Sequence, residues 1–216
     1  TSSASCSVSP SRSKIGFDID LDVALPKADQ FITNCTDYLF DGRGHSVTLR
    51  NGTIWSEGCR RFAWVNCRHR GTGDGVSYTV GADNDNWTQV GCSDFVFDHC
   101  SANGSTDEGI SSTRGCHDFT YQFNLFGPGG SAPASASESS STASANYGVL
   151  VYGGQTNGVS QVTTRGTFYA NGFCAKHYRA PKVGRWNDGI STASPDAIDF
   201  DVINNVVWDS FYGLTA

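Results

Sequence analysis

Short apolar stretches, each interrupted by a polar residue, recur along this chain and give the first guide to its fold. Each unit has an apolar or aromatic strand, then in most cases asparagine or histidine, then a second short strand. The units are VTLRNGTIW (47–55), FAWVNCRHR (62–70), FVFDHCSAN (95–103), FTYQFNLFG (119–127), VTTRGTFYA (162–170) and FDVINNVVW (200–208). No window has the sustained 3.6-residue period of an amphipathic helix, so the pattern predicts an all-β protein.

A right-handed parallel β-helix accounts for this irregular repeat. In such a solenoid each coil contributes short parallel strands, and equivalent residues of successive coils stack on one another. The polar position falls at Asn51, Asn66, His99, Asn124 and Asn205, with Gly166 as the exception. These polar side chains are therefore predicted to stack along the solenoid, with asparagine at a tight bend. A β-sandwich with similar strands is the alternative.

The chain divides into two parts of different composition. Residues 1–30 are predicted to form an N-terminal arm, and residues 31–216 to form the β-helix domain. Within that domain a Ser/Ala-rich stretch at 127–146 has low complexity and predicts a long loop that leaves the solenoid. Because nothing resembling a terminal cap follows the last unit, we expect the solenoid to be incomplete at its C-terminal end.

Charge narrows the classes of partner. The formal net charge of −6 argues against nucleic acid or an anionic membrane surface. No apolar run is long enough to span a bilayer. A polyuronate partner would require a local cluster of cationic side chains, mostly arginine, or a bridging cation.

The cysteines and glycosylation motifs indicate an extracellular protein. The eight cysteines form an even set without a Cys-x-x-Cys pair, which disfavours a zinc site. Four Asn-x-Ser/Thr motifs begin at Asn34, Asn51, Asn86 and Asn103. Together these features predict a secreted, disulfide-bonded glycoprotein. Cys67 and Cys100 each follow the polar position directly, so they could bond if their coils are adjacent.

Four segments resemble, in order, the motifs of the polysaccharide lyase family that includes pectate lyases. They are FVFDHCS with TDE (95–101 and 106–108), FTYQFN (119–124), YGVLVYGG (147–154), and RAPK (179–182) followed by DVINNVVW (201–208). The family hallmark reads approximately WIDHCS, then TDE, then a strand ending in WN. The resemblance implies a β-helix that cleaves an acidic cell-wall polysaccharide, such as polygalacturonate, by β-elimination.

The resemblance also assigns roles to cationic residues. Arg179 matches the family's base, which removes the proton beside a substrate carboxylate. Lys182 and Arg185 would bind substrate carboxylates and assist proton release from Arg179, whose pKa is ordinarily above about 12.

The same resemblance implies a Ca²⁺ site. Asp107 matches a calcium-binding aspartate, Glu108 lies beside it, and Asp74 would come from the preceding coil. Ca²⁺ takes hard oxygen ligands and lowers the energy of a developing negative charge. Asp98 and His99 match the Asp-His pair of the hallmark and are expected to support the stack rather than to react.

Three departures from the family pattern keep other functions open. Ser111 stands where the family often has a second aspartate, Gly184 where it commonly has a second arginine, and Asn146 where it has histidine. The second hypothesis is a catalytically inactive β-helix glycoprotein that acts as an extracellular scaffold, fibre subunit or glycan-binding module and self-associates through its solenoid ends. A third is a glycoside hydrolase, with paired carboxylates from Asp83, Asp85 and Glu108.

Overall fold

The computed structural model describes residues 13–16, 21–24, 30–50, 52–71, 85–105, 107–127, 147–156, 159–174, 180–184 and 197–208. Within these residues the secondary structure consists entirely of strands. No helix in this part of the chain is long and apolar enough to cross a membrane.

Three parallel sheets account for all but two of the strands. Sheet 1 contains β1 (Ser13–Gly16), β4 (Thr36–Asp41), β7 (Arg60–Val65), β10 (Ser93–Asp98), β13 (His117–Gln122), β18 (Thr163–Tyr169) and β21 (Ala197–Ile203). Sheet 2 contains β2 (Leu21–Ala24), β5 (Val47–Arg50), β8 (Cys67–Arg70), β11 (Ser101–Asn103), β14 (Leu125–Phe126), β19 (Gly172–Cys174) and β22 (Val206–Trp208). Sheet 3 contains β3 (Gln30–Thr33), β6 (Ile54–Glu57), β9 (Trp87–Val90), β12 (Glu108–Thr113), β15 (Tyr147–Tyr152) and β20 (Lys182–Val183). The remaining strands, β16 (Gly154–Thr156) and β17 (Val159–Gln161), form an antiparallel hairpin.

The chain visits the three sheets in turn, and each coil lies on the coil before it. Coil 1 begins with β1, and coils 2 to 7 begin with β4, β7, β10, β13, β18 and β21. This topology confirms the predicted right-handed parallel β-helix. Strands β1 and β2 lie within residues 1–30 and pair with β4 and β5, so this segment contributes to the sheets. The low-complexity stretch from 128 to 146 lies outside the described residues.

Aromatic side chains in register form the core. Tyr38, Phe62, Phe95 and Phe119 occupy equivalent positions of coils 2 to 5 and stack face to face. Their ring centroids are 4.7, 4.9 and 5.0 Å apart along the column. All four rings are buried, and burial of aromatic surface in successive coils fixes the register between them. The position is glycine in coil 6, because the ring of Phe200 in coil 7 occupies the space that a Cβ on Gly166 would need.

An asparagine ladder closes the corner between sheets 1 and 2. The Asn124 Nδ2 group donates hydrogen bonds to the Phe97 carbonyl, at 2.9 Å, and to the Asn171 Oδ1 atom, at 3.0 Å. Asn171 repeats the pattern one coil later and donates to the Asn205 Oδ1 atom at 2.9 Å. In coil 4 a cysteine takes this position, and the Cys100 N–H donates to Asn124 Oδ1 at 2.8 Å.

The membership of this ladder differs from the sequence prediction. Asn66 and His99 lie one position earlier, at a corner residue in the left-handed conformation, with φ of 54° and 53°. Phe123 takes that corner position in coil 5, with φ of 53°, so the prediction that stacked Asn66 and His99 on Asn124 is wrong. The sequence pattern places Gly166 at the polar position of its unit and therefore does not predict Asn171 as a member of the ladder. Asn51 lies outside the described residues.

Candidate functional site

Three carboxylates come together at the start of two neighbouring strands of sheet 3. Asp85 lies two residues before β9, and Glu108 is the first residue of β12. Because β9 and β12 pair with Trp87 opposite Ile110, Asp85 and Glu108 occupy equivalent positions of adjacent coils. Asp107 directly precedes Glu108. Oxygen atoms from all three carboxylates lie within 4.8 Å of one another.

One hydrogen bond from the next coil and one from the same coil fix the Asp85 carboxylate. Its Oδ1 atom accepts a bond from the Glu108 N–H at 3.0 Å, and its Oδ2 atom accepts one from the Thr88 hydroxyl at 2.7 Å. The Asp85 main-chain carbonyl accepts a further bond from the Thr53 hydroxyl at 2.9 Å. Asp85 and Glu108 are only 9% and 2% exposed. This burial disfavours a hydrolase pair formed by Asp85 and Glu108, since both carboxyl groups would have to reach a sugar, and Asp83 lies outside the described residues.

The donor set suits Ca²⁺. Calcium binds carboxylate oxygens at about 2.3–2.6 Å, so two ligands on one ion lie within about 5 Å of each other. A separation of 4.8 Å or less among the three oxygens meets this condition without rearrangement of the strands. Each carboxylate oxygen has two lone pairs, so Asp85 can accept its two hydrogen bonds and still act as a ligand.

The structure brings together two of the three predicted metal ligands. Asp107 and Glu108 are adjacent to Asp85, which the sequence suggested only as part of a hydrolase. Asp74, the predicted ligand from the preceding coil, lies outside the described residues. Asp85 reaches the other two carboxylates because of the strand register between coils 3 and 4, and no local sequence motif predicts that register.

Lys182 lies on the same sheet as the carboxylates. It is opposite Leu150, which is in turn opposite Ser111 on β12. Leu150 is buried but is not part of the core cluster, so this column faces outward. Lys182 is therefore on the outer face of sheet 3, two strands and about 10 Å across the sheet from β12. The predicted base Arg179 and its neighbour Arg185 lie outside the described residues.

The Asp98–His99 pair is on a different part of the surface. The His99 Nδ1 atom lies 2.7 Å from Asp98 Oδ1, and the imidazole is 60% exposed. The His99 ring stacks on Phe123 at a centroid distance of 5.0 Å, at the corner between sheets 1 and 2. The pair therefore lies away from the carboxylates, and its contact with the next coil is the His99 ring on Phe123.

Three arginines cluster on the outer face of sheet 2. Arg50 on β5 is opposite Arg70 on β8, and Arg68 lies two residues before Arg70 on the same face. Arg70 donates to the Ser101 hydroxyl at 3.0 Å, and Arg68 donates to the Ser46 hydroxyl at 2.5 Å. Burial and then the positive charges of Arg68 and Arg50 lower the pKa of Arg70. Polyuronate binding would require a local cationic cluster of this kind or a bridging cation, and no sequence motif predicts its position.

The predicted glycosylation sites differ in accessibility. Asn34 is exposed, with φ of 54°, at the corner that precedes β4. Asn86 is 0% exposed, and its Nδ2 group donates to the Asn103 carbonyl at 3.2 Å. Asn103 is half-buried on β11, and Asn51 lies outside the described residues. Among the described sites the geometry therefore favours Asn34 for a glycan and disfavours Asn86.

Comparisons with known proteins support the fold. No protein-family profile and no curated protein matches the chain. Among solved structures, the chain is similar to the 1.7 Å crystal structure of jun a 1, the major allergen from cedar pollen. The TM-score is 0.54, the sequence identity is 17%, and the alignment covers 90% of the present chain. The present chain spans about half (49%) of the length of the allergen chain. The chain therefore has the pectate-lyase-like right-handed parallel β-helix fold that its sequence motifs resemble.

Proposed function

We propose that this protein is a secreted, Ca²⁺-assisted lyase that cleaves a polyuronate, such as polygalacturonate, by β-elimination. The observation that carries this proposal is the group of three carboxylates, Asp85, Asp107 and Glu108, whose oxygens lie within 4.8 Å of one another. The lyase-like motifs around Asp107 and Arg179 and the β-helix fold support it. The protein would also be disulfide-bonded and would carry a glycan at Asn34.

Asp107 and Glu108 would hold the ion together with Asp85. Calcium bound there would neutralise a substrate carboxylate and stabilise the charge that develops on it. The hydrogen bonds from Glu108 in the next coil and from Thr88 in the same coil orient the Asp85 oxygens in advance, so little ordering is needed when the ion binds.

The cationic residues would act on the substrate. Arg179 would accept the proton beside the carboxylate, and the glycosidic oxygen would leave from the neighbouring carbon. An arginine base requires neighbouring positive charge, since its pKa is ordinarily above about 12. Lys182, three residues along the chain on the outer face of sheet 3, would supply part of that charge together with Arg185. The same two cations would bind carboxylates of adjacent sugar units.

Substitution of one carboxylate tests this function. Asp107→Asn removes one charged ligand, and we expect Ca²⁺ affinity, measured by calorimetry, to fall at least tenfold. Formation of unsaturated uronate, followed by ultraviolet absorbance, should fall with it. Asp94→Asn is the matched control, because Asp94 is an exposed aspartate on sheet 1, far from the group. Equal calcium binding by both variants would contradict the assigned site.

The arginine cluster favours a second candidate function, which is binding of an acidic glycan without turnover. Guanidinium groups recognise carboxylates through paired hydrogen bonds. Three of them on one face of a chain with net charge −6 form a local cationic surface.

Binding to immobilised polygalacturonate in the presence of chelator tests the second candidate. We expect Arg68→Ala combined with Arg70→Ala to weaken binding at least fivefold, and salt to weaken wild-type binding. Arg61→Ala is the control, because Arg61 is an exposed arginine on sheet 1 whose guanidinium pairs with Asp37. If both variants bind like the wild type, this surface is not the glycan site.

A further inference from the structure

Four cysteines form a single column at the corner between sheets 3 and 1. They directly precede β4, β7, β10 and β13, and the strand register makes them equivalent in coils 2 to 5. They are Cys35, Cys59, Cys92 and Cys116, with exposures of 3, 0, 0 and 0%. Each cysteine is therefore stacked on the cysteine of the next coil inside the protein.

The sulfur atoms interact along this column. The thiols of Cys59, Cys92 and Cys116 all donate to carbonyls of the preceding coil, at 3.3, 3.4 and 3.4 Å, so they share one direction. The Cys92 N–H donates to the Cys116 Sγ atom at 3.3 Å. Interaction with the Cys92 side chain and then burial raise the pKa of Cys59.

A second column of two cysteines lies at the corner between sheets 1 and 2. Cys67 in coil 3 and Cys100 in coil 4 are equivalent, because the next residues, Arg68 and Ser101, are paired. The Cys100 thiol donates to the Trp64 carbonyl at 3.4 Å, and the interaction with Cys100 lowers the pKa of Cys67. The seven described cysteines form no disulfide in this structure.

The strand register brings the cysteines of both columns within the Cα–Cα range of disulfides between coils. Equivalent residues of neighbouring strands are about 4.8 Å apart, within the range of about 4.4–6.8 Å between the Cα atoms of a disulfide. The side chains within a column also point in the same inward direction. Each cysteine of the four-residue column can bond only to the cysteine of the coil directly above or below. The possible bonds in this column are therefore Cys35–Cys59, Cys59–Cys92 and Cys92–Cys116.

We propose that the oxidised protein contains the bonds Cys35–Cys59, Cys67–Cys100 and Cys92–Cys116. The first joins coil 2 to coil 3, the second joins coil 3 to coil 4, and the third joins coil 4 to coil 5. The three bonds therefore connect four successive coils without a break, although they lie at two different corners. The alternative bond, Cys59–Cys92, would leave two thiols in the column and would duplicate the connection that Cys67–Cys100 already makes.

Each bond forms by thiol–disulfide exchange. One cysteine thiolate attacks a small-molecule disulfide, such as oxidised glutathione, and releases one glutathione thiolate. The second cysteine then attacks the mixed disulfide and releases the other, so two protein thiols are oxidised and one glutathione disulfide is reduced. The oxidising environment rests on the extracellular location proposed above. Because the sulfurs are buried, we expect exchange to occur during folding and the completed bonds to resist reductant in the native protein.

Peptide mapping of the full chain tests the pairing. The reduced, denatured protein is refolded in a buffer of reduced and oxidised glutathione, its remaining thiols are alkylated, and its linked peptides are identified by mass spectrometry. We expect the three linked peptide pairs and a thermal midpoint at least about 10 °C above that of the chain refolded without oxidant. A map dominated by Cys59–Cys92, or alkylation of all four column cysteines, would overturn the proposal.

Two variants keep the assignment testable. Cys116→Ala should still form Cys35–Cys59 and leave Cys92 as a thiol, whereas an interchangeable column would also produce Cys59–Cys92. Cys174→Ala, at the end of β19 and outside both columns, should leave the map unchanged and controls for general loss of folding. The map is measured without substrate or calcium, so its result does not depend on lyase activity. If the protein shows the three bonds and no turnover, the lyase proposal is contradicted and the disulfide proposal stands.

Discussion

Replacement of Asn124 by alanine probes the ladder that holds the corner between sheets 1 and 2. Asn124 is 3% exposed and links three coils. The substitution removes the bond to the Phe97 carbonyl at 2.9 Å, the bond to Asn171 at 3.0 Å, and the bond accepted from the Cys100 N–H at 2.8 Å. Two buried main-chain groups thereby lose the asparagine partner that this corner supplies.

The expected loss of stability follows from these contacts. A buried polar group deprived of its partner costs about 2 kcal/mol, so the two groups together predict a loss of about 4 kcal/mol in the free energy of unfolding. For a chain of this size that corresponds to a fall of about 8–16 °C in the thermal midpoint.

Thermal unfolding followed by circular dichroism measures this effect. Asn103→Ala is the control, since Asn103 is a half-buried asparagine on the outer face of sheet 2 and its main-chain carbonyl bond is retained. The control should change the free energy of unfolding by less than about 0.5 kcal/mol. If Asn124→Ala is no more destabilising than this control, the ladder does not contribute as argued.

The remaining predictions concern sheet 1. Hydrogen bonds from Arg165 and then His117 hold the pKa of Asp118 well below its usual range. Since a depressed carboxyl pKa stabilises the fold above the unfolded pKa of about 4, this contribution should fade as pH falls below about 4, and Asp118→Asn should lack that part of the acid-induced loss in urea titrations at each pH. An unchanged pH dependence in Asp118→Asn would contradict this assignment. Gly166→Ala should destabilise by about 1–3 kcal/mol in denaturant melts, because its Cβ would overlap the Phe200 ring, and a neutral result would show that the ring moves freely.

The sequence predicts the solenoid well because aromatic core residues alternate with outward-facing residues along the central strands of sheet 1. Phe95 and Phe97 point inward with one residue between them, and the same pattern returns at Phe119 and Tyr121 in the next coil. The ladder is predicted less well, because a left-handed corner residue shifts the buried position by one. His99 and Asn124 look equivalent by type, whereas in the structure Cys100 is the residue equivalent to Asn124.

The candidate site shows a similar division. The motif resemblance identifies Asp107 and Glu108, since they are adjacent in sequence. Asp85 joins them only through the register of β9 and β12, which a single sequence does not display locally. The cysteine column, in contrast, has a sequence signal: its four members are spaced identically to Tyr38, Phe62, Phe95 and Phe119. That shared spacing alone predicts that the four cysteines and the four aromatic residues follow the same register from coil to coil.

Turnover of polygalacturonate by the wild-type protein is the most direct test of the lyase proposal. Ultraviolet absorbance of unsaturated uronate would be followed with calcium and again after chelation, beside Arg179→Ala at the same concentration. A lyase of the proposed kind gives a steady rise with calcium that chelation abolishes and that Arg179→Ala lacks. A flat trace from a folded wild-type protein with calcium present would contradict the lyase and favour glycan binding without turnover.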